Sequence, residues 1–184
     1  LYGSDNYGIV GNVNLNSEKS ETNEIFLNYP ITENTKFNTS IYRSKIFDRI
    51  ESNGSYTTFE NFSNSINQEG IETNIIYDFD DVYLSLYVNS SKSRKSGGSH
   101  QSRRPDFSYG FNLTKNLNLM EVKNLTLTLD YKYTGKYLDW DGSKNSFQKS
   151  TDLLDLVITK DLDNYSLVFD VRNLLNERYE KPAT

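Results

Sequence analysis

Leu125-Thr126-Leu127-Thr128-Leu129-Asp130-Tyr131-Lys132-Tyr133 alternates without a break, with Leu, Leu, Leu, Tyr and Tyr on one side and Thr, Thr, Asp and Lys on the other. Successive side chains of an extended strand point to opposite faces, so this segment has one apolar and one polar face. A helix would scatter the same residues around its circumference. The pattern recurs in both directions along the chain. Ile71, Thr73, Ile75, Tyr77 and Phe79 oppose Glu72, Asn74, Ile76 and Asp78, and Val82, Leu84, Leu86 and Val88 oppose Tyr83, Ser85, Tyr87 and Asn89. Phe107 to Thr114 and Tyr165 to Arg172 repeat it, and Leu154, Leu156 and Ile158 make a shorter case. The runs Thr22 to Tyr29 and Lys36 to Asp48 are strand-like with an ambiguous phase. The reading is all-β, with about eight meandering antiparallel strands.

The connections alternate in length. Pro30 to Thr35, Asp78 to Asp81 and Lys160 to Asn164 are tight and rich in Asn, Asp and Pro, the residues that turns demand. Arg49 to Thr58, Ser90 to Arg104 and Lys136 to Thr151 are long and polar, and Lys115 to Asn124 is intermediate. Short turns at one end and long loops at the other is the layout of outer-membrane barrels. Alternation alone does not distinguish such a wall, apolar toward lipid, from a soluble meander with its apolar side in a core. The aromatics favour the wall. Tyr29, Tyr77, Phe79 and Tyr165 lie beside the short turns and Phe107, Tyr131 and Tyr133 on the long-loop side, as two interfacial girdles would.

Composition agrees with this reading and removes others. The 184 residues carry net charge -5, 35% hydrophobic and 14% aromatic residues, and a mean hydropathy of -0.70. A wall needs only every second residue apolar, so low hydropathy is compatible with insertion. No window approaches the eighteen or so uninterrupted apolar residues of a transmembrane helix. With no cysteine and a single His100, thiolate sites and histidine clusters are excluded, leaving little for catalysis and no expected metal or cofactor. The acidic balance gives no general attraction for nucleic acid.

The motifs carry a resemblance. Leu1-Tyr2-Gly3 followed by Gly11-Asn12-Val13-Asn14-Leu15-Asn16-Ser17-Glu18-Lys19-Ser20 resembles the LYG and GNPxLxPEKS segment of TonB-dependent outer-membrane receptors, with Val13 and Ser17 in place of its prolines. Val171-Arg172-Asn173-Leu174-Leu175-Asn176-Glu177-Arg178-Tyr179-Glu180 resembles the V-x-NLF-D-x-x-Y signature near the end of the same receptors. Asn64 with Gly70-Ile71-Glu72 is similar to their N and GxE strand, and Arg103-Arg104-Pro105 to their RRP. The landmarks occur in the family's order over essentially the whole chain, and among such receptors the cobalamin transporters look most similar.

The resemblance implies a barrel of about 22 strands filled by an N-terminal plug. Residues 1–184 would be the C-terminal part of that barrel, an open sheet when taken alone, with the plug and the final strand outside it. It also implies a Gram-negative outer membrane, with lipid and lipopolysaccharide around the wall, and energy from the TonB-ExbB-ExbD complex acting on the plug. The cargo would be cobalamin or, alternatively, an iron-siderophore, imported without chemical conversion. Loop aromatics suit a flat cargo, which points to Tyr137 and Trp140, then Tyr56 and Tyr7, although girdle or loop packing accounts for such residues equally.

Other motifs read as bland. Asp139-Trp140-Asp141-Gly142-Ser143 lacks the later ligands of a calcium loop and reads as an acidic turn. Lys92, Arg94, Lys95, His100, Arg103 and Arg104 read as a mobile basic loop, whose charges would at most meet lipopolysaccharide phosphates. Ser146 to Lys149 is a chance S-x-x-K. Glu72, Asp78, Asp130, Lys132, Asp155, Asp170 and Arg172 would face a watery lumen. Two alternatives stay open at this stage: a self-contained eight-stranded outer-membrane barrel, and a soluble β-sheet binding module.

Overall fold

In a computed structural model the described residues are 8–119, 122–140 and 144–179, without the side chains of 118, 119, 122, 123 and 140. Tyr7, Leu1-Tyr2-Gly3, Asp141 to Ser143 and Glu180 lie outside them.

The regular structure consists of strands β1 (Lys19–Thr32), β2 (Thr35–Phe47), β3 (Arg49–Ser52), β4 (Phe59–Phe62), β5 (Ile66–Phe79), β6 (Val82–Lys95), β7 (Phe107–Leu119), β8 (Val122–Thr134), β9 (Tyr137–Trp140), β10 (Asn145–Gln148), β11 (Thr151–Leu162) and β12 (Tyr165–Val171). Eight of them form one sheet in the order β1-β2-β5-β6-β7-β8-β11-β12, while β3 pairs with β4 and β9 with β10. The sheet is an open meander with β1 and β12 at its edges. Two expectations change. The stretch after Lys115 is no intermediate loop: β7 runs to Leu119, with a register shift between Leu117 and Leu119, and β8 begins at Val122. The long connections after β2 and β8 are not irregular loops either, because each folds into a hairpin of its own.

The alternation fixes the faces. Register places Leu84, Leu113, Leu129, Leu156 and Val171 in one row across five strands, and Leu86, Phe111, Tyr131 and Leu154 in the next. On the other face Ser85, Asn112, Asp130 and Asp155 form the parallel row. Among the described residues nothing covers the aliphatic rows: Val88 is 48% exposed, Leu167 57% and Phe169 60%. Among the described residues the one buried hydrophobic side chain is Ile66. A soluble sheet covers its apolar face with a second layer, and this one presents it outward.

The outward apolar band has defined ends. At the long-connection end Tyr109 and Tyr133 stack at 4.8 Å, Phe107 lies 5.7 Å from Tyr109, and Phe111 and Tyr131 stack at 5.6 Å. In this girdle the Tyr131 hydroxyl donates to Asp152 Oδ1 at 2.5 Å. Toward the short turns the rows take in Lys115, aligned with Leu127, and Lys160, aligned with Leu125 and Leu167, before Leu117, opposite Leu125, and Tyr165, opposite Leu162. Lysine suits such a border because its stem lies on apolar surface while the ammonium reaches water.

Turn chemistry accounts for the short ends. Asp80, at the β5 to β6 turn, has φ 49, and Asp48, between β2 and β3, has φ 55, left-handed values that Asp and Asn tolerate better than other side chains. Gly110 is required for a different reason. A Cβ there would meet the Tyr131 carbonyl oxygen at 2.1 Å and the Tyr87 hydroxyl at 2.6 Å.

The chain divides into two compact units. One comprises residues 1–24, 42–69 and 92–101, and the other 25–41, 70–91 and 102–184. In the first, residues 10–18 are tied to the β3–β4 hairpin. The Val10 amide donates to the Thr57 carbonyl at 2.8 Å, Asn12 Nδ2 to the Phe59 carbonyl at 2.9 Å, and the Ile50 amide to Glu18 Oε1 at 2.8 Å. Asn61 brackets Asn16, accepting from its amide at 2.7 Å and donating to its carbonyl at 2.9 Å. The buried Arg49 donates to Glu51 and to the Asn64 carbonyl. The second unit holds most of the wall and the β9–β10 hairpin.

Candidate ligand-facing loops and wall

The long-connection end carries the residues available for recognition. Tyr137 opens β9, pairs with Gln148 of β10, and lines a cavity of about 310 Å³ with Phe147, Gln148, Lys149, Thr151, Arg178 and Tyr179. Sequence reading nominated Tyr137 and Tyr179 separately, one as a loop aromatic and one as a motif position. The fold brings them to one cavity. Thr151 aligns with Thr134, on the polar face of the sheet. Trp140 ends β9 opposite Asn145, and its side chain is among those outside the description.

Tyr56 belongs to the other unit. It sits in the β3–β4 connection at φ 56, 77% exposed, with its amide donating to the Asn53 carbonyl at 3.0 Å. Asn53 builds that connection, because its Oδ1 accepts from the Thr57 amide at 2.9 Å and its Nδ2 donates to Thr57 Oγ1 at 3.0 Å. Tyr56 and Arg103 are the two described positive-φ residues that are neither Gly, Asn nor Asp, and both lie in long connections. Left-handed backbone at such residues is unfavourable, so surrounding bonds must hold it.

At Arg103 those bonds are visible, and they correct two expectations. Its amide donates to the Leu138 carbonyl at 2.7 Å and its Nε to Asp139 Oδ1 at 2.9 Å. Asp139 is 5% exposed, so it is a buried strand residue paired with a cation, and no acidic turn. Arg103 is correspondingly no member of an unattached loop. The rest of that basic stretch is also ordered by backbone bonds: β6 continues to Lys95, whose amide donates to the Ser99 carbonyl at 2.9 Å, and Gln101 donates to Ser93 at 3.0 Å. Arg104 is exposed and Pro105 half-buried just before β7.

The motif residues prove to be builders. Asn12 and Glu18 hold the leading segment, as described above, and Gly11 lies beside them at an open hollow with Val10, Val13 and Thr57. Asn173 has φ 56, its Oδ1 accepts from the Glu177 amide at 2.9 Å and its Nδ2 donates to the Glu177 carbonyl at 2.9 Å. Only an amide side chain makes both bonds, and Asn tolerates that backbone, which explains the residue at this place. The Asn173 amide donates to Asp155 Oδ1 and the Leu174 amide to the Leu154 carbonyl, each at 2.7 Å, so the chain beyond β12 keeps to β11. That course is what brings Arg178 and Tyr179 to the cavity.

On the polar face Gly70 and Glu72 lie in β5. Glu72 borders a hollow of about 290 Å³ with Asn38, Ser40, Asn74, Tyr87 and Asn89. Asn38 Nδ2 donates to Asn74 Oδ1 at 2.9 Å, while its own Oδ1 is buried with no hydrogen-bond partner among the described residues. Asp130 and Asp155 face each other directly, and each finds a donor, Asn112 Nδ2 at 3.3 Å and the Asn173 amide. Arg172 bonds Asp170 at 3.1 Å. Sequence reading missed Arg103 with Asp139 and the cavity shared by Lys149 and Arg178, because both depend on the meeting of distant segments.

Comparison with known proteins now adds its findings. Residues 1–174 match the family model described as "TonB dependent receptor-like, beta-barrel". No curated protein matches the chain by sequence. Among solved structures it is similar to the FrpB iron transporter of Neisseria meningitidis (16% identity, 93% of this chain and 29% of that one, TM-score 0.73). It is also similar to the ferripyoverdine receptor of the outer membrane of Pseudomonas aeruginosa (13%, 88% and 24%, TM-score 0.71). A third is the ferric yersiniabactin uptake receptor FyuA of Yersinia pestis (18%, 88% and 26%, TM-score 0.76). At these identities the likeness concerns the fold. The chain spans between a quarter and three-tenths of the length of these structures.

Proposed function

The chain belongs to the TonB-dependent receptor β-barrel family, and from that premise we propose that it is the C-terminal part of the barrel of an outer-membrane receptor that imports an iron chelate. The observation that carries the cargo is that the relatives named above are, by their own descriptions, an iron transporter and two ferric-chelate receptors. Nothing among them supports the cobalamin preference drawn from motif spacing, so iron-siderophore becomes the leading reading and cobalamin the lesser one.

In this reading the aliphatic rows face lipid, the girdle of Phe107, Tyr109, Tyr131 and Tyr133 lies at the outer interface with lipopolysaccharide, and the short turns lie in the periplasm. The Ser, Thr, Asn and Asp rows line the lumen around a plug formed elsewhere in the protein. The plug transmits energy from the TonB-ExbB-ExbD complex. The cargo is moved and not converted, as in a family of transport receptors. Tyr137, Trp140, Tyr56 and Tyr7 remain the proposed loop contacts, and Tyr179 joins them through the cavity it shares with Tyr137.

The test is titration of the complete receptor, in detergent, with a panel of iron-loaded siderophores and with cobalamin, followed by tryptophan fluorescence. Saturable binding of an iron chelate without cobalamin binding is expected. Binding of cobalamin alone would overturn the reading.

A further inference from the structure

We infer that the cavity bounded by Tyr137, Phe147, Lys149, Arg178 and Tyr179 is selective for negatively charged aryl groups, and so takes a catecholate or phenolate arm of the iron chelate in preference to a neutral hydroxamate; this rests on the iron-chelate reading above. The lining comes from three separate segments: Tyr137 from β9, Phe147 to Thr151 from β10 and the start of β11, and Arg178 with Tyr179 from beyond β12. Of its seven lining residues among those described, three are aromatic, two are cationic and none is a carboxylate, although the whole chain carries net charge -5. Positive charge is thus concentrated where the chain as a whole is negative.

The neighbouring carboxylates have other work. Asp139 is bound by Arg103, Asp155 accepts from the Asn173 amide, and Asp152 accepts from the Tyr131 hydroxyl on the outward face. Asp152 and Asp155 keep their charge and Glu177 stands next to Arg178, but none of the three lines the cavity, where the charged groups among the described residues are Lys149 and Arg178. Phe147 is 57% exposed and Tyr179 41%, which for large aromatic side chains leaves ring surface open to a stacking partner. At about 310 Å³ the cavity stands at the small end of ligand pockets, about 300–1,000 Å³, which suits an aryl arm and not a whole corrin. Planar guanidinium beside an aromatic ring binds a charged oxygen on a flat ligand by hydrogen bonding and stacking together.

The experiment titrates the complete receptor with a trianionic ferric tris-catecholate chelate and with a neutral ferric tris-hydroxamate chelate. The wild type should bind the anionic aryl chelate more tightly, with affinity falling as salt rises. The double variant Lys149→Gln/Arg178→Gln should raise its Kd at least about tenfold, the loss of a charge-assisted contact, and leave any hydroxamate binding within about twofold. The charge-retaining pair Lys149→Arg/Arg178→Lys should keep most of the affinity, which separates charge from folding if the Gln pair proves unstable. Equal effects on both chelates, or salt-independent binding of the catecholate, would overturn the inference. A wild type that binds only the neutral chelate sinks the inference and leaves the iron-chelate reading standing, whereas one that binds no iron chelate removes both.

Discussion

Leu129 and Thr128 are neighbours in β8, yet they obey different rules. The face of Leu129 is aliphatic from β6 to β12, with aromatics at the long-connection end and lysines among the aliphatic residues toward the short turns. The face of Thr128 is a lattice of short polar contacts, such as Thr114 Oγ1 to Thr128 Oγ1 at 3.2 Å and Thr126 Oγ1 to Asn116 Oδ1 at 3.0 Å. One face is specified by what it must avoid and the other by what it must satisfy. The outward face therefore tolerates any apolar side chain, while the lumen face and the long connections depend on particular amides and carboxylates.

The comparison breaks first at a charge on the wrong face. Leu129→Arg in the complete receptor, refolded into liposomes, should lose about 2–4 kcal/mol of stability by urea titration, as a cation near the bilayer midplane does. Thr128→Arg, one residue away, should change it little, and equal losses would mean that both faces meet the same medium. Next in size is Gly110→Val, where backbone and the Tyr87 ring leave no room for a Cβ. About 1–3 kcal/mol of destabilisation is expected from overpacking, read from the urea midpoint. Asn173→Ala removes two side-chain bonds to Glu177 and the tolerance for φ 56, and about 1–2 kcal/mol is expected. Asn173→Asp keeps the acceptor and should fall between.

The smallest global effect belongs to Arg103→Ala. It takes the Arg103 guanidinium from the Asp139 carboxylate, whose side chain is 7% exposed. Because this pair lies at the edge of the wall, we expect faster hydrogen exchange at residues 102–105 and 137–140 with a nearly unchanged melting temperature. An unchanged exchange rate there would show that the ion pair does not hold the two connections together.

Much of the wall was legible because a single period writes it. In Leu125 to Tyr133 the side-chain alternation, the strand and both faces are the same fact, and the register only confirms it. The loop sorting was legible for a related reason, since turn residues such as Asp80 and Asn34 declare themselves locally. The cavity was not. Tyr137 could be nominated as an exposed aromatic, but its association with Arg178 and Tyr179 depends on Asn173 steering the chain back along β11, a contact no local pattern encodes. Asp139 misled for the same reason: beside Asp141 and Gly142 it looks like a turn, and only its distant partner Arg103 makes burial affordable. The runs before Asp48 were ambiguous because Ile25, Phe26 and Leu27 are consecutive, as are Ile41 and Tyr42, so that a period of two marks neither face.

The central claim is that the two faces of β8 meet different solvents. These 184 residues contain no cysteine, so with any cysteine elsewhere in the complete receptor replaced by serine, single cysteines at positions 125 to 133 can carry spin labels one at a time in liposomes. Collision rates with oxygen, which concentrates in lipid, and with a water-soluble nickel complex should alternate in opposite phase along the strand. Positions 127, 129 and 131 should be oxygen-accessible, and 126, 128 and 130 nickel-accessible or shielded from both. Nickel accessibility at 127, 129 and 131 would contradict the account and return the sheet to water.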